Sequence, residues 1–349
     1  MQKVSNRFAE FDLIRALAIV SVVMTHAGFF TFTDRRILFV AIDTLQLFCV
    51  PAFLMLSGFF LTNKLENQNN PALVVKKRLS KIIPPYLFWS VALYILNNLG
   101  DLQKFDLLSL LRDILTGSVK FPYYFIVVIV QCYGWWWLLV KLKFLEPRKI
   151  LALGLIIQTI FTILFYLSAF HYIKSIPQQL MERLMFSWIL PFSTGLFLGD
   201  SYNIIQPFLE RRKMPILGAT ILFYVASIWE CYAIVHTDQG LVRSFFRISS
   251  QGYAILFVLS ILAFSKSIAL PSRVSGLVKI LAAYSFPIYL LELTVLPYVS
   301  LVFYKFIDPV DPLLKFAFLV TGNLFGCCAI IYLLQKVLPK NYSQYILGI

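Results

Sequence analysis

The sequence predicts an all-α, polytopic integral membrane protein with about ten transmembrane helices and both termini in the cytoplasm. Three observations carry that prediction. Of 349 residues, 59% are hydrophobic and 14% charged, where soluble domains have about 45 to 50% and about 25%. The mean hydropathy is +0.78, and the apolar residues gather in runs of about 20, the length a helix needs to cross about 30 Å of hydrocarbon. Lys and Arg lie between these runs instead of forming one basic stripe, so the net charge of +14 reads as orientation in the bilayer and not as nucleic-acid binding.

Ten spans are expected, near residues 8 to 30, 37 to 62, 82 to 99, 121 to 140, 150 to 170, 184 to 199, 214 to 236, 250 to 266, 277 to 304 and 313 to 335. The sixth is short and contains Pro191 and Gly195; the ninth is long and contains Pro287 and Pro297, so both are expected to kink or tilt. Between the third and fourth, residues 105 to 117 (FDLLSLLRDILTG) set leucines opposite Asp106, Arg112 and Asp113, the pattern of a short amphipathic helix at the interface. Counted in alternate loops, Lys and Arg number nineteen on the side of the N-terminus against ten on the other, which puts both termini inside.

No small-residue cleavage site follows the first apolar run, so the first helix is expected to stay as a membrane anchor. Residues 1–349 read as one transmembrane domain, with Glu66 to Pro71 a polar cytoplasmic loop. Cys49, Cys132, Cys231, Cys327 and Cys328 sit in apolar stretches without metal-ligand spacing and read as small buried hydrophobes. Trp135 to Trp137, with Tyr123 and Tyr124, read as aromatic belts at the ends of the fourth span. His171 and His236 fall in outer loops and read as solvated.

Ionisable residues inside a span cost about 2.5 to 3.5 kcal/mol on insertion scales, so each is a functional candidate. The first span holds Asp12, Arg15 and His26. The eleven steps from Arg15 to His26 make three turns plus about 20°, which puts both on one helix face about 16 Å apart along the axis. Asp12, three residues before Arg15, is placed for an ion pair that lowers the cost of both charges; snorkelling at the cytoplasmic edge explains that pair equally well. His26 ends an apolar helix, where a packing residue would be cheaper. In the second span Ser57 and Gly58 read as small-residue helix packing. Arg78 and Lys81, three apart and just before Pro84 and Pro85, suit a phosphate-bearing ligand arriving from the cytoplasm, although positive-inside charge alone would also explain them.

Together these pieces resemble the membrane acyltransferase-3 family, whose members move acetyl or other short acyl groups onto cell-envelope carbohydrates. The likeness rests on Arg-x10-His (Arg15 to His26), on an F-x-x-S-G-F-like segment (Phe53, Ser57, Gly58 and Phe59 within residues 53 to 59), and on the R-x-x-R-x-x-P entry to the third helix (Arg78, Lys81, Pro84). Lysine in the second basic position departs from the pattern. An aromatic W-[FY]-[FLI] segment is met loosely by Tyr123, Tyr124 and Phe125, and S-x-x-I-Y-L-L-H is met from Ser285 through Tyr289 to Leu291, with Glu292 where the family usually has histidine. Residues 116 to 131 (TGSVKFPYYFIVVIVQ) further resemble the intercellular-adhesion acyltransferases of poly-N-acetylglucosamine biofilm operons.

The resemblance implies O-acyl transfer, of acetyl or succinyl type, from cytoplasmic acyl-CoA to an envelope glycan, exopolysaccharide or lipid-linked sugar, in the cell membrane and with no permanently bound cofactor or metal. It implies His26 as general base or acyl carrier, with Arg15, Asp12 and Glu292 completing the catalytic set. Arg78, Lys81, Ser57 and Tyr289 become the donor-binding set. Glu292 leaves the role of the second histidine open, since glutamate also accepts a proton or pairs with an arginine, and an inactive relative is one outcome of that replacement. The competing reading is a polysaccharide exporter or proton-coupled transporter, with Asp12, Arg15, His26, Glu230 and Glu292 as an ion path and helices broken near Pro191 and Pro287.

Overall fold

In the computed structural model the described residues are 9–32, 36–63, 70–99, 106–144, 146–234, 244–307 and 311–349. They form helices joined by turns, with no strand among them. In chain order these are α1 (Ala9–Thr31), α2 (Ile37–Leu45), α3 (Cys49–Thr62), α4 (Pro71–Asn98), α5 (Leu107–Thr116), α6 (Tyr124–Lys141), α7 (Pro147–Ala169), α8 (Gln178–Arg183), α9 (Ile189–Arg211), α10 (Lys213–Ile234), α11 (Ile248–Phe264), α12 (Ser272–Phe306), α13 (Pro312–Val337) and α14 (Lys340–Leu347). Nine stretches among the described residues are long and apolar enough to cross a membrane. The protein is an all-α, multi-pass membrane protein.

The sixth expected span, the one outside those nine, is α9, and its composition follows from its position. It packs chiefly on α3, and also on α7 and α11, so it is enclosed by protein and has little need of lipid-facing hydrophobes. A Cβ on Gly58 would strike the Phe192 carbonyl, one on Gly195 the Met55 carbonyl, and one on Gly199 the Phe59 carbonyl. The two backbones therefore touch through small residues, as in small-xxx-small packing. The Thr62 hydroxyl adds a bond to the Leu196 carbonyl at 2.8 Å.

Several expectations are corrected. The bend in α9 lies at Ser201 (φ −112°, ψ 21°) and not at Pro191 or Gly195. Pro191 stands in the first turn, where an N–H would have no helical partner anyway. The irregular chain just before α9 is satisfied by two glutamines: Gln131 bonds the Arg183 carbonyl (2.8 Å) and the Met185 N–H (3.0 Å), and Gln158 bonds the Ser187 carbonyl (2.8 Å) and the Leu190 N–H (3.3 Å). Non-helical backbone at membrane depth requires such partners. Helix α12 continues through Pro287 and Pro297 as one helix. The second span divides into α2 and α3 across a 3-10 turn, Gln46–Phe48, because Pro51 has no N–H for the Leu47 carbonyl.

The third span begins earlier than expected. Pro71 occupies the first helical position, the Asn70 side chain accepts from the Leu73 N–H at 3.2 Å, and α4 is already helical through Arg78 and Lys81. Most of the Glu66 to Pro71 loop lies outside the described residues. Helix α5 matches the interfacial reading: Asp106 caps it, no residue in it is buried, and Leu107, Leu108, Leu111 and Leu115 are exposed. The aromatic-belt reading fails for Tyr123, Tyr124 and Trp136, which are buried. Their rings fill the space between α6 and its neighbours, and the Tyr123 hydroxyl donates to the Leu290 carbonyl of α12 at 2.9 Å. The cysteines are free thiols, four of them buried. His171 is exposed, and His236 lies outside the described residues.

Candidate active site

Helix α1 packs along α12, which brings the two ends of the chain together. His26 Nδ1 then lies 2.7 Å from Glu292 Oε1, with the histidine side chain 8% exposed and the glutamate fully buried. The two groups are within ion-pair distance, although neither His26 Nδ1 nor Glu292 Oε1 completes a hydrogen bond among the described residues, so the contact is the approach of a buried carboxyl to the imidazole. His26 lines a cavity of about 700 Å³. The Phe121 ring meets the imidazole edge to face, 6.1 Å between centroids, and restricts its orientation.

The cavity collects residues from elements far apart in sequence. Arg15, Ser57, Arg78, Phe60 and Tyr289 line it together with His26. The Phe60 ring carries the Arg15 guanidinium at 4.8 Å and the Arg78 guanidinium at 5.9 Å, so two cations share one aromatic ring. Arg78 is held there by donating to the Phe60 carbonyl at 2.9 Å. The expected Asp12 to Arg15 pair is present at 3.7 Å, with Asp12 buried and outside the cavity lining.

Other expected site residues separate from the group. Lys81 is exposed on α4 and does not line the cavity. Three residues span 300°, so Lys81 is turned 60° from Arg78, enough to carry it past the cavity edge. Ser57 and Gly58 divide the work: Ser57 faces the cavity and Gly58 faces the α9 backbone. The Tyr289 hydroxyl is committed to the Pro122 carbonyl, so this residue forms wall. Glu292 lies beside the histidine and does not line the cavity, and neither of its oxygens has a hydrogen-bond partner among the described residues.

Several lining residues carry no sequence signal of their own. Phe121, Tyr124, Cys49, Gln178, Gln179, Glu182 and Phe245 all face the cavity. Pro177 to Arg183 carries no motif, and folding brings Pro177, Gln178, Gln179 and Glu182 to the cavity wall. Burial pushes the Glu182 carboxyl above the usual carboxylate range, against the opposing pull of a hydrogen bond from Gln178 and the charge of Arg183.

The acyltransferase domain of the acyltransferase-3 family matches residues 8–332, which takes in α1, α12 and every lining residue between them. The chain belongs to the acyltransferase-3 family. Among curated proteins it is similar to a probable poly-beta-1,6-N-acetyl-D-glucosamine export protein of Staphylococcus aureus strain Mu50, 28% identical over 263 residues that cover 72% of this chain and 69% of the relative. The protein of the same description from strain MRSA252 is 27% identical over the same coverage. No solved structure matches the chain. In this acyltransferase it is Glu292, where the sequence resemblance leads one to expect histidine, that lies beside His26.

Proposed function

We propose that the protein transfers a short acyl group from cytoplasmic acyl-CoA to a hydroxyl of a cell-envelope carbohydrate, working from the plasma membrane. The observation that carries the reading is the buried His26 and Glu292 pair on a cavity that also holds Arg15 and Arg78. The two guanidiniums suit the phosphates of the donor, and the distance of about 16 Å along α1 between Arg15 and His26 is of the order a pantetheine arm covers.

In this reading His26 Nε2 takes the proton of the sugar hydroxyl as its oxygen attacks the thioester carbonyl. The carbon–sulfur bond breaks, and the coenzyme thiolate takes that proton back from the imidazolium. Glu292 stabilises the imidazolium in between and fixes the tautomer that presents Nε2. An acyl group carried transiently on His26 is the other route to the same products.

A second reading has one observation in its favour: the similar Staphylococcus aureus proteins are described as probable export proteins. One experiment separates the two. Purified, detergent-solubilised protein is given acyl-CoA and glycan acceptors, a setting without compartments. The expected result is acyl transfer, lost in His26→Asn by about 10²- to 10⁴-fold, the usual contribution of a general base. Wild-type protein that transfers no acyl group to any acceptor, yet moves glycan into proteoliposomes in a His26-dependent way, favours export.

A further inference from the structure

Two chemically different groups of residues line the cavity. Arg15 and Arg78, over Phe60, come from the N-terminal halves of α1 and α4, whereas Gln178, Gln179, Glu182 and Phe245 come from the chain after α7 and before α11, which the alternating direction of the helices assigns to the other end of the bundle. This second end is held firmly although α8 is a short helix. Gln131 bonds the Arg183 carbonyl at 2.8 Å and the Met185 N–H at 3.0 Å, and Trp188 Nε1 donates to the Glu182 carbonyl at 2.9 Å. Gln178 Nε2 bonds Glu182 Oε1 at 2.8 Å, which orients the carboxylate. Phe245 rests on the Trp188 ring, 5.5 Å between centroids, and offers a flat apolar wall beside these polar groups.

A carboxylate and two carboxamides set close together present several donors and acceptors to one ligand. A lipid chain would leave them unpaired, at about 1 to 3 kcal/mol each, whereas a sugar offers hydroxyls to pair with them and a ring face to lay on Phe245. Charge adds a second criterion. The guanidinium end suits an anionic donor, and Glu182 repels an anionic ligand at the other end. Arg183, the neighbouring cation, is absent from the cavity lining.

We propose that Gln178, Gln179, Glu182 and Phe245 form a saccharide subsite, and that the Glu182 carboxylate selects neutral or amine-bearing sugars over uronic acids. The inference rests on the acyltransferase reading for the role of that saccharide as acceptor. It is tested by equilibrium binding of labelled oligosaccharides to the full-length protein in detergent, alongside acyl-CoA hydrolysis by the same preparation. The probes are a short N-acetylglucosamine oligomer, the same oligomer with a free amine, and an oligogalacturonate of equal length.

Wild-type protein is expected to bind the first two and discriminate against the third. Glu182→Gln is expected to weaken the neutral and amine-bearing probes by about ten- to a hundredfold, the loss of one charge-assisted hydrogen bond, and to narrow the gap to the uronate. Gln179→Ala, at an exposed position that folding tolerates, is expected to weaken the same probes less. Equal binding of the uronate to wild-type protein, or unchanged binding in both variants, overturns the subsite. Glu182-dependent glycan binding by a protein that turns over no acyl-CoA leaves the subsite standing and overturns the acyltransferase reading instead.

Discussion

Glu292 and Glu230 are both carboxylates at membrane depth, and the structure uses them in opposite ways. Glu230, on α10, accepts from the Tyr166 hydroxyl and from the Ser249 N–H (3.2 Å) and hydroxyl, so donors from α7 and α11 occupy both its oxygens. It lies outside the cavity lining and ties three helices together. Among the described residues Glu292 has one charged neighbour, His26, and that neighbour faces a void. The cost of burying charge does not by itself mark a functional group. What marks it is a polar neighbour with unused capacity at a space large enough for a ligand. The same contrast separates Arg78 from Lys81, one turned into the cavity and the other away.

The sharpest test of the comparison is Glu292→Gln. An amide keeps the shape but cannot stabilise the imidazolium or enforce the Nδ1–H tautomer, so acyl transfer should fall by at least about 10²-fold with donor KM little changed, by analogy with the loss of a triad carboxylate. Glu292→His, which restores the family's usual residue, should recover part of that loss. A shift of the pH–rate profile in Glu292→Gln separates this positioning role from simple packing, which would lower the yield of folded protein without moving the profile.

A smaller effect is expected at the guanidinium end. Arg78→Ala should raise the donor KM by about ten- to a hundredfold, one charge-assisted contact, and Lys81→Ala should leave it unchanged. Equal losses at both positions would mean that general cytoplasmic charge, and not cavity geometry, governs donor use. The smallest effect on activity belongs to Glu230→Gln. Activity per folded molecule should match wild type in a transfer assay, while thermal unfolding in detergent shifts downward because donors from α7 and α11 lose a charged acceptor. Loss of catalysis in this variant with the melting temperature preserved would make Glu230 part of a proton path and break the contrast with Glu292.

Much of the local structure was legible because hydropathy acts along the chain. The apolar runs, the interfacial α5 and the shared face of Arg15 and His26 all follow from composition and a 3.6-residue period. Legibility failed where neighbours decide. Helix α9 looks weak as a span because its partners are α3, α7 and α11 instead of lipid. Pro191 and Gly195 suggested breaks, yet one sits harmlessly in a first turn and the other makes room for the Met55 carbonyl. Tyr123, Tyr124 and Trp136 have the composition of an interfacial belt, and packing against other helices draws them inside.

The sequence by itself determined that this chain enters a membrane, where most helices run, and that His26 is costly enough there to need a purpose, while Arg15 and Arg78 stayed equally open to snorkelling and positive-inside charge. Those properties depend on residue type and spacing, which are local. Only the tertiary structure decided that Glu292 meets His26, that Arg78 and not Lys81 shares Phe60 with Arg15, and that Glu182 closes the opposite end of the cavity. Each of those contacts joins elements remote along the chain, and the register of helix on helix, set by small residues such as Gly58 and Gly195, fixes which side chains face one another.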